Sequence, residues 1–372
     1  MNALRETAAE FVRREVAPYL QDWEDAGQVP RSLHLAAAKQ GLLGVSFPES
    51  VGGEGGDLLD SIAVMEGMLE SGASSGLLAA LFTGGIALPH IAASGNTDLV
   101  DRFVRPTLAG EKIGALAITE PDGGSDVAAI RTTARLDGDA YVVDGTKTFI
   151  TSGARADFVT LAVRTGGPGA RGLSLLVVEK GTPGFTVDRT LAKMGWHCSD
   201  TAELGLAGCR VPVANLVGAE GSGFAQIAEQ FVVERIALAV HGYGIAARSL
   251  ALTAAYVRER STFGRPLNDR QVVRHRLVEM HRQVEVARTY VHAVAARHVA
   301  GEDVVAAACL AKQTAVETAV AVTDMAVQLH GGTGYLHGTE VERHYRDARI
   351  LPIGGGATEV LIDLAARLLG YA

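Results

Sequence analysis

The apolar positions of this 372-residue chain change their period twice. Over residues 1–112 they recur at helical spacing between glycine turns, which predicts helices over 4–20, 31–40, 58–72, 75–93 and 97–109. The glycine-rich run at 48–56 is a loop, and it lacks the spacing and the following basic residue of a phosphate-binding loop. Over 113–218 short β-rich blocks take over: 141–143 and 148–151 around an expected turn at Asp144-Gly145, then 157–164, 172–179, 185–187 and 202–206. Short strands separated by turn signals predict an antiparallel sheet or barrel. From 219 onward helical spacing returns, with helices expected over 218–260, 268–299, 302–329 and 358–369. Long antiparallel helices joined by short loops predict bundle packing. Helices, then strands, then helices make an α+β chain with units at 1–112, 113–218 and 219–372.

Inside the first long C-terminal helix, Glu234 and Arg235 interrupt the apolar runs Phe231-Val232-Val233 and Ile236-Ala237-Leu238. A helix apolar on most sides is buried on most sides. A carboxylate there is either paired or has its pKa raised toward the range of a general base. The pattern alone leaves both open, a buried Glu–Arg pair or a catalytic base.

Composition narrows the classes. The chain is 48% hydrophobic and 20% charged, as globular proteins are, and has ample apolar material for a large core. A net charge of -8 without a basic block speaks against nucleic acid or an anionic membrane as partner. No apolar run is expected to reach the length that spans a membrane. The N-terminal residues show no continuous apolar stretch of a signal peptide. Cys198, Cys209 and Cys309 are scattered and form neither a disulfide framework nor a metal motif, which fits a reducing cytoplasm. His330, His337 and His344 are evenly spaced, but no carboxylate–histidine helix motif accompanies them, so they are expected to pack or to lie at an interface, and no metal site is expected.

Five blocks carry a family resemblance. They are Ile118-Thr119-Glu120-Pro121-Asp122-Gly123-Gly124-Ser125-Asp126; Phe149-Ile150-Thr151; Met194-Gly195 with Cys198-Ser199-Asp200-Thr201; Arg260-Ser261-Thr262-Phe263-Gly264-Arg265; and Gln328 to Tyr335 with Arg346-Asp347-Ala348-Arg349. In this order the chain resembles the acyl-CoA dehydrogenase family. The resemblance implies an N-terminal helical domain, a central antiparallel β-barrel and a C-terminal four-helix bundle. It also implies bound FAD, an acyl-CoA thioester substrate, a trans-2-enoyl product, an electron-transferring flavoprotein as acceptor and a homotetramer.

The resemblance also assigns residues. Leu116, Ile118, Thr119, Gly124, Ser125, Phe149, Ile150 and Thr151 match the flavin-binding part of the middle domain, with Thr119 and Thr151 bonding the ring. Arg260, Phe263 and Gln271 match contacts to the FAD of a neighbouring subunit, where a guanidinium suits pyrophosphate oxygens. Gln328, Gly331, Gly332 and Thr358 match further cofactor positions. Ser125, Ser199, Val232, Arg235, Gly355 and Gly356 match the substrate side. Much of the family carries its catalytic Glu in a loop after the Arg-Asp-Ala run, where this chain has Gly355. The isovaleryl-CoA and long-chain branches place it in a helical Glu-Arg-Leu run, matched here by Glu234-Arg235-Ile236. Glu234 is therefore the expected base. Glu359, four residues after Gly355, is the competing carboxylate, although a helix start favours an acidic residue there anyway. Ala357 stands where the family usually has a cofactor-contacting Thr. Two other readings remain beside the acyl-CoA dehydrogenase: an enzyme for acyl groups on a carrier protein, and a silent relative serving as a binding subunit.

Overall fold

The computed structural model describes residues 2–372. In the N-terminal part the helices are shorter than their apolar period predicts. Asn2–Phe11 widens into a π-helical turn at Val12–Val16, and Leu20–Ala26 starts only after the break around Pro18. Expected single helices over 75–93 and 97–109 are likewise broken, the first into Ser75–Leu81, Gly84–Ala87 and Pro89–Ala93. The second has a π-helical turn at Val100–Val104 between Thr97–Leu99 and Arg105–Leu108. Proline supplies no N–H to the preceding turn, and paired glycines favour open backbone, so periodicity alone overstates length here. Leu58–Glu70 is the regular exception, opened by an Asp57–Asp60 capping box.

The middle of the chain forms one sheet from β1 (Gly114–Ala117), β2 (Thr133–Asp137), β3 (Ala140–Thr151), β4 (Phe158–Arg164), β5 (Leu173–Glu179), β6 (Phe185–Thr190), β7 (Thr201–Pro212) and β8 (Leu216–Val217). Their order is β6-β7-β3-β2-β4-β5-β8, with β1 paired to β4. This corrects the expected barrel: the edge strands β6 and β8 do not pair, so the sheet stays open. It is also mixed, because β1 runs parallel to β4, and β2 meets β4 in parallel through the single pair Thr133–Arg164. The expected hairpin turn at Asp144-Gly145 is absent. Both residues lie inside β3, at a shift of register against β7. Gly145 is there for closeness: a Cβ would lie 2.5 Å from Thr132 Oγ1. Asp144 accepts the Gly208 N–H at 2.7 Å.

Three long helices, Gly223–Glu259, Gln271–Val299 and Val305–His330, pack on one another. Thr358–Leu368 packs on Val305–His330, and Leu58–Glu70 of the N-terminal part packs on the first two. One apolar cluster therefore runs across both helical parts through Met68, Leu69, Tyr243, Val291 and Ala315. Two of these helices, Gly223–Glu259 and Val305–His330, are long and apolar enough by length and composition to cross a membrane, contrary to the sequence expectation. Packing accounts for much of that apolarity, since half or more of each apolar window is covered within the protein. A helix that periodicity missed, Glu340–Ala348, packs between them. Its covered face mixes Val341 and Ala348 with Arg343, His344 and Asp347, so the apolar positions are too sparse to read as a stripe.

Candidate active site

Glu234 sits in the N-terminal half of Gly223–Glu259, between buried Val232 and Ile236. Burial raises its pKa above the ordinary carboxylate value, and the Lys312 and Arg235 cations pull against that rise without cancelling it. Neither cation is hydrogen-bonded to it; they act across space. The alternative Glu–Arg pair does not form, as expected for adjacent residues that point about 100° apart on a helix. Arg235 is instead buried with its guanidinium 5.7 Å over the Phe231 ring.

Opposite Glu234 stands the loop after Glu340–Ala348. Gly355 and Gly356 have φ of +63° and +96°, a region that penalises side chains. A Cβ on Gly355 would lie 3.3 Å from Glu234 Oε1 and 2.3 Å from Leu238 Cδ1. The position empty of a carboxylate in the loop and the carboxylate on the helix thus occupy one place in space. Among the described residues, the Gly355 and Gly356 amides donate to no backbone carbonyl. They are open to an acceptor from outside. The loop is held from behind by Lys312, whose ammonium donates to the Gly354 carbonyl and, at 2.7 Å, to the Gly356 carbonyl.

The residues matched to the flavin gather where β1 ends beside β3. Leu116 is half-buried in β1, and Ile118 and Thr119 follow it. The Thr119 carbonyl accepts the Thr148 N–H at 2.9 Å, which ties the 118–126 loop to the strand carrying Phe149, Ile150 and Thr151. Buried Lys147 donates to the Ile118 carbonyl and, at 2.8 Å, to Glu120. Burial lowers the Lys147 pKa to about 8; burial would raise that of Glu120, but Lys147 and the bonds from Thr132 and the Arg131 N–H hold it at about 2. Both groups are therefore charged at neutral pH. Gly124 comes so close that a Cβ would lie 3.0 Å from Thr119 Cγ2. Phe149 stands exposed with φ of +58°, a strained setting for an aromatic residue. An exposed ring, two half-buried threonine hydroxyls and a close-packed glycine loop fit a flat aromatic cofactor with a polar edge.

A second matched group lies at the far end of the helices. Arg260, Phe263 and Gln271 are exposed around a small hairpin, and Phe263 is 97% exposed with φ of +51°. Gln328, Gly331 and Gly332 are exposed at the end of Val305–His330. Tyr256 links the two, stacking on His330 at 4.3 Å and donating to its carbonyl. Among the described residues only the Arg270 guanidinium lies over the Phe263 ring, 5.4 Å from its centre, and the ring stays exposed.

Other matched residues are placed differently. Ser125 is exposed in the 118–126 loop. Ser199 is fully buried with its hydroxyl unpartnered. Thr358 starts the last helix and bonds back to the Pro352 carbonyl. Glu359 is exposed beside it, outside the Glu234–Gly355 contact. His330 packs on Tyr256, His337 is exposed near Asp25 and Glu342, and His344 is fully buried beside Glu340.

Three family models cover the chain: acyl-CoA dehydrogenase N-terminal domain over 1–111, middle domain over 115–209 and C-terminal domain over 221–370. The chain belongs to the acyl-CoA dehydrogenase family. The rat long-chain specific acyl-CoA dehydrogenase (Rattus norvegicus), a mitochondrial protein, is 36% identical over 98% of this chain and 85% of its own length. A Mycobacterium smegmatis structure described as an acyl-CoA dehydrogenase is 58% identical, with a TM-score of 0.99 over 100% of this chain and 97% of that one. The prolyl acyl carrier protein oxidase AnaB is 28% identical, with a TM-score of 0.94 over 99% of this chain and 98% of that one. Members of this family are FAD-binding flavoproteins.

Sequence reasoning missed three contributors to this family site. Lys312 is a single lysine in an alanine-rich helix, with no local signal of a partner 42 residues on. Lys147 likewise gives no sign that it holds Glu120. Asp347 lay in a recognised block, but its work was not legible. It accepts the Trp196 N–H at 2.6 Å and the Gly76 N–H at 3.3 Å, joining all three parts of the fold behind the site.

Proposed function

We propose that this chain is an FAD-dependent acyl-CoA dehydrogenase that oxidises an acyl-CoA thioester to its trans-2-enoyl product, with Glu234 as the base. The observation that carries the reading is the meeting of an unpaired, desolvated carboxylate with the open amides of Gly355 and Gly356. Oxidation at the α and β carbons needs removal of the α-proton and stabilisation of the negative charge that builds on the thioester oxygen. Glu234 takes the proton, and the Gly355–Gly356 amides meet the oxygen. Val232 and Arg235, matched to the substrate side, share the helix but are buried and turned away from Glu234, so their part in this reading is to support that helix face. Bound FAD would supply the hydride acceptor for the β-carbon. Thr119, Thr151 and the Gly124-Ser125 loop would hold it on the sheet.

Mixing the yellow holoprotein anaerobically with straight, branched and aromatic acyl-CoAs tests this. Bleaching of the flavin with formation of the enoyl-CoA supports it. Bleaching only by thioesters on a carrier protein would move the activity to the biosynthetic reading, and no bleaching by any thioester would favour a silent relative. The electrons then pass to an electron-transferring flavoprotein.

The exposed hairpin supports a homo-oligomer, a tetramer in this reading, in which Arg260, Phe263 and Gln271 reach a neighbour's FAD and Gln328, Gly331 and Gly332 line the same seam. Arg260→Ala is expected to lower the flavin-to-protein ratio and the oligomer size together. Full flavin at unchanged elution volume would remove Arg260 from the cofactor site.

A further inference from the structure

We propose that Lys312 is a positioning residue for this reaction: it clamps the Gly354–Gly356 loop from behind and fixes the side that the loop turns toward Glu234. This rests on Glu234 being the base. Lys312 comes from Val305–His330, a helix that contributes no residue to the proton transfer itself, and it is only 1% exposed. Burying an ammonium is costly unless its donors are used. Here its donors go to two carbonyls of one loop, those of Gly354 and Gly356, on either side of Gly355. With those carbonyls turned toward Lys312, the intervening peptide is fixed, and with it the direction in which the Gly355 and Gly356 amides point.

The same ammonium also attracts Glu234 across space, with no hydrogen bond between them. The charged and titratable groups gathered here are Glu234 and Arg235 on Gly223–Glu259, and Lys312 with Cys309, one turn earlier, on Val305–His330. The loop itself offers only backbone. Of the two cations, Lys312 acts on Glu234 more strongly than Arg235. Burial lowers the Lys312 pKa to about 8, Glu234 pulls it up and Arg235 pushes it down, so it remains a cation at neutral pH. One side chain thus couples the direction of the oxyanion donors to the charge state of the base.

The test uses Lys312→Met, which keeps the stem and removes the ammonium, beside Lys312→Arg, which keeps a cation. Two quantities are read on FAD-loaded protein. One is the acid limb of the anaerobic bleaching rate against pH. The other is the affinity for an enoyl-CoA, which needs the loop but no proton transfer. In Lys312→Met the acid limb should move up by about one pH unit, the lower end of the effect of a nearby opposite charge. Enoyl-CoA affinity should fall at least ~tenfold, about the loss of one good hydrogen bond. Lys312→Arg should keep the wild-type acid limb. A lysine that only supports the fold would lower the melting temperature and leave the limb where it was. A wild-type limb or wild-type enoyl-CoA affinity in flavin-replete Lys312→Met overturns the proposal. Should that variant not fold, Lys312→Gln takes its place: the same two shifts are expected, and a wild-type value of either overturns the proposal. Failure of the underlying reading shows separately, as wild-type bleaching in Glu234→Gln, whatever Lys312 does.

Discussion

Glu234→Gln is expected to bind FAD and acyl-CoA and yet bleach at least ~100-fold more slowly than the wild-type protein, the lower end of general-base effects. Glutamine keeps the length and hydrogen-bonding edge of the side chain but accepts no proton. The carboxylate is the active form, so wild-type bleaching should fall as pH drops through the Glu234 pKa. That limb should lie above the range of an ordinary glutamate because burial raises the pKa. Stability carries the opposite sign. A carboxyl whose folded pKa is raised contributes fully below its unfolded pKa, and that contribution is lost as pH rises through the folded one. The glutamine variant does not titrate, so it should melt no lower than wild type, and the difference should grow in its favour across that window. A half-buried, desolvated group that costs stability in its working state is common at active sites. Glu359→Gln is the control: it should bleach at the wild-type rate, since Glu359 is exposed at a helix start. Loss of bleaching in Glu359→Gln with wild-type behaviour in Glu234→Gln would name the other carboxylate.

The helix that carries Glu234 was legible because it repeats one local rule over 37 residues. The strands β4 and β5 were legible too, as short β-rich runs between turn signals. What escaped were features set by distant partners. Asp144-Gly145 has the composition of a hairpin turn, yet Thr132 and Gly208 claim it for the interior of a strand. That the sheet stays open is set by its edges β6 and β8, which lie far apart in the strand order, and the parallel partner of β4, β1, is four residues without a pattern of its own. Pro18, Gly84 and Pro89 cut helices that the apolar period ran through. Within the site, the family blocks led to Glu234 and Gly355 separately, and the structure adds that they face each other. Lys312 had no such guide. A lone buried lysine is defined by the carbonyls it reaches, and those lie on another element.

Gly355→Val should abolish most turnover while FAD stays bound. Two effects act in the same direction. The native φ of +63° is one a β-branched residue adopts only at a cost of order 1–3 kcal/mol. Relief of that strain turns the peptide and moves the Gly355 and Gly356 amides, each a donor of the kind worth roughly 2.7–4 kcal/mol where charge builds on oxygen. The new side chain also starts 3.3 Å from Glu234 Oε1, in the space the α-carbon must enter. Its 2.3 Å contact is with the tip of Leu238, a flexible side chain that can swing aside, so crowding there alone would not be decisive. The loss is therefore expected to be at least ~100-fold in the bleaching rate, matching removal of one oxyanion donor. Gly355→Ala grades the two effects, because alanine carries a backbone penalty and the same Cβ 3.3 Å from Glu234 Oε1 but lacks the branched methyls. It should lose rate and part of the substrate affinity, whereas valine should lose more of both. The flavin spectrum should be unchanged in either, since the flavin-matched residues of the sheet lie on β1, β3 and the 118–126 loop. Wild-type turnover by Gly355→Val would mean that the thioester oxygen is held elsewhere.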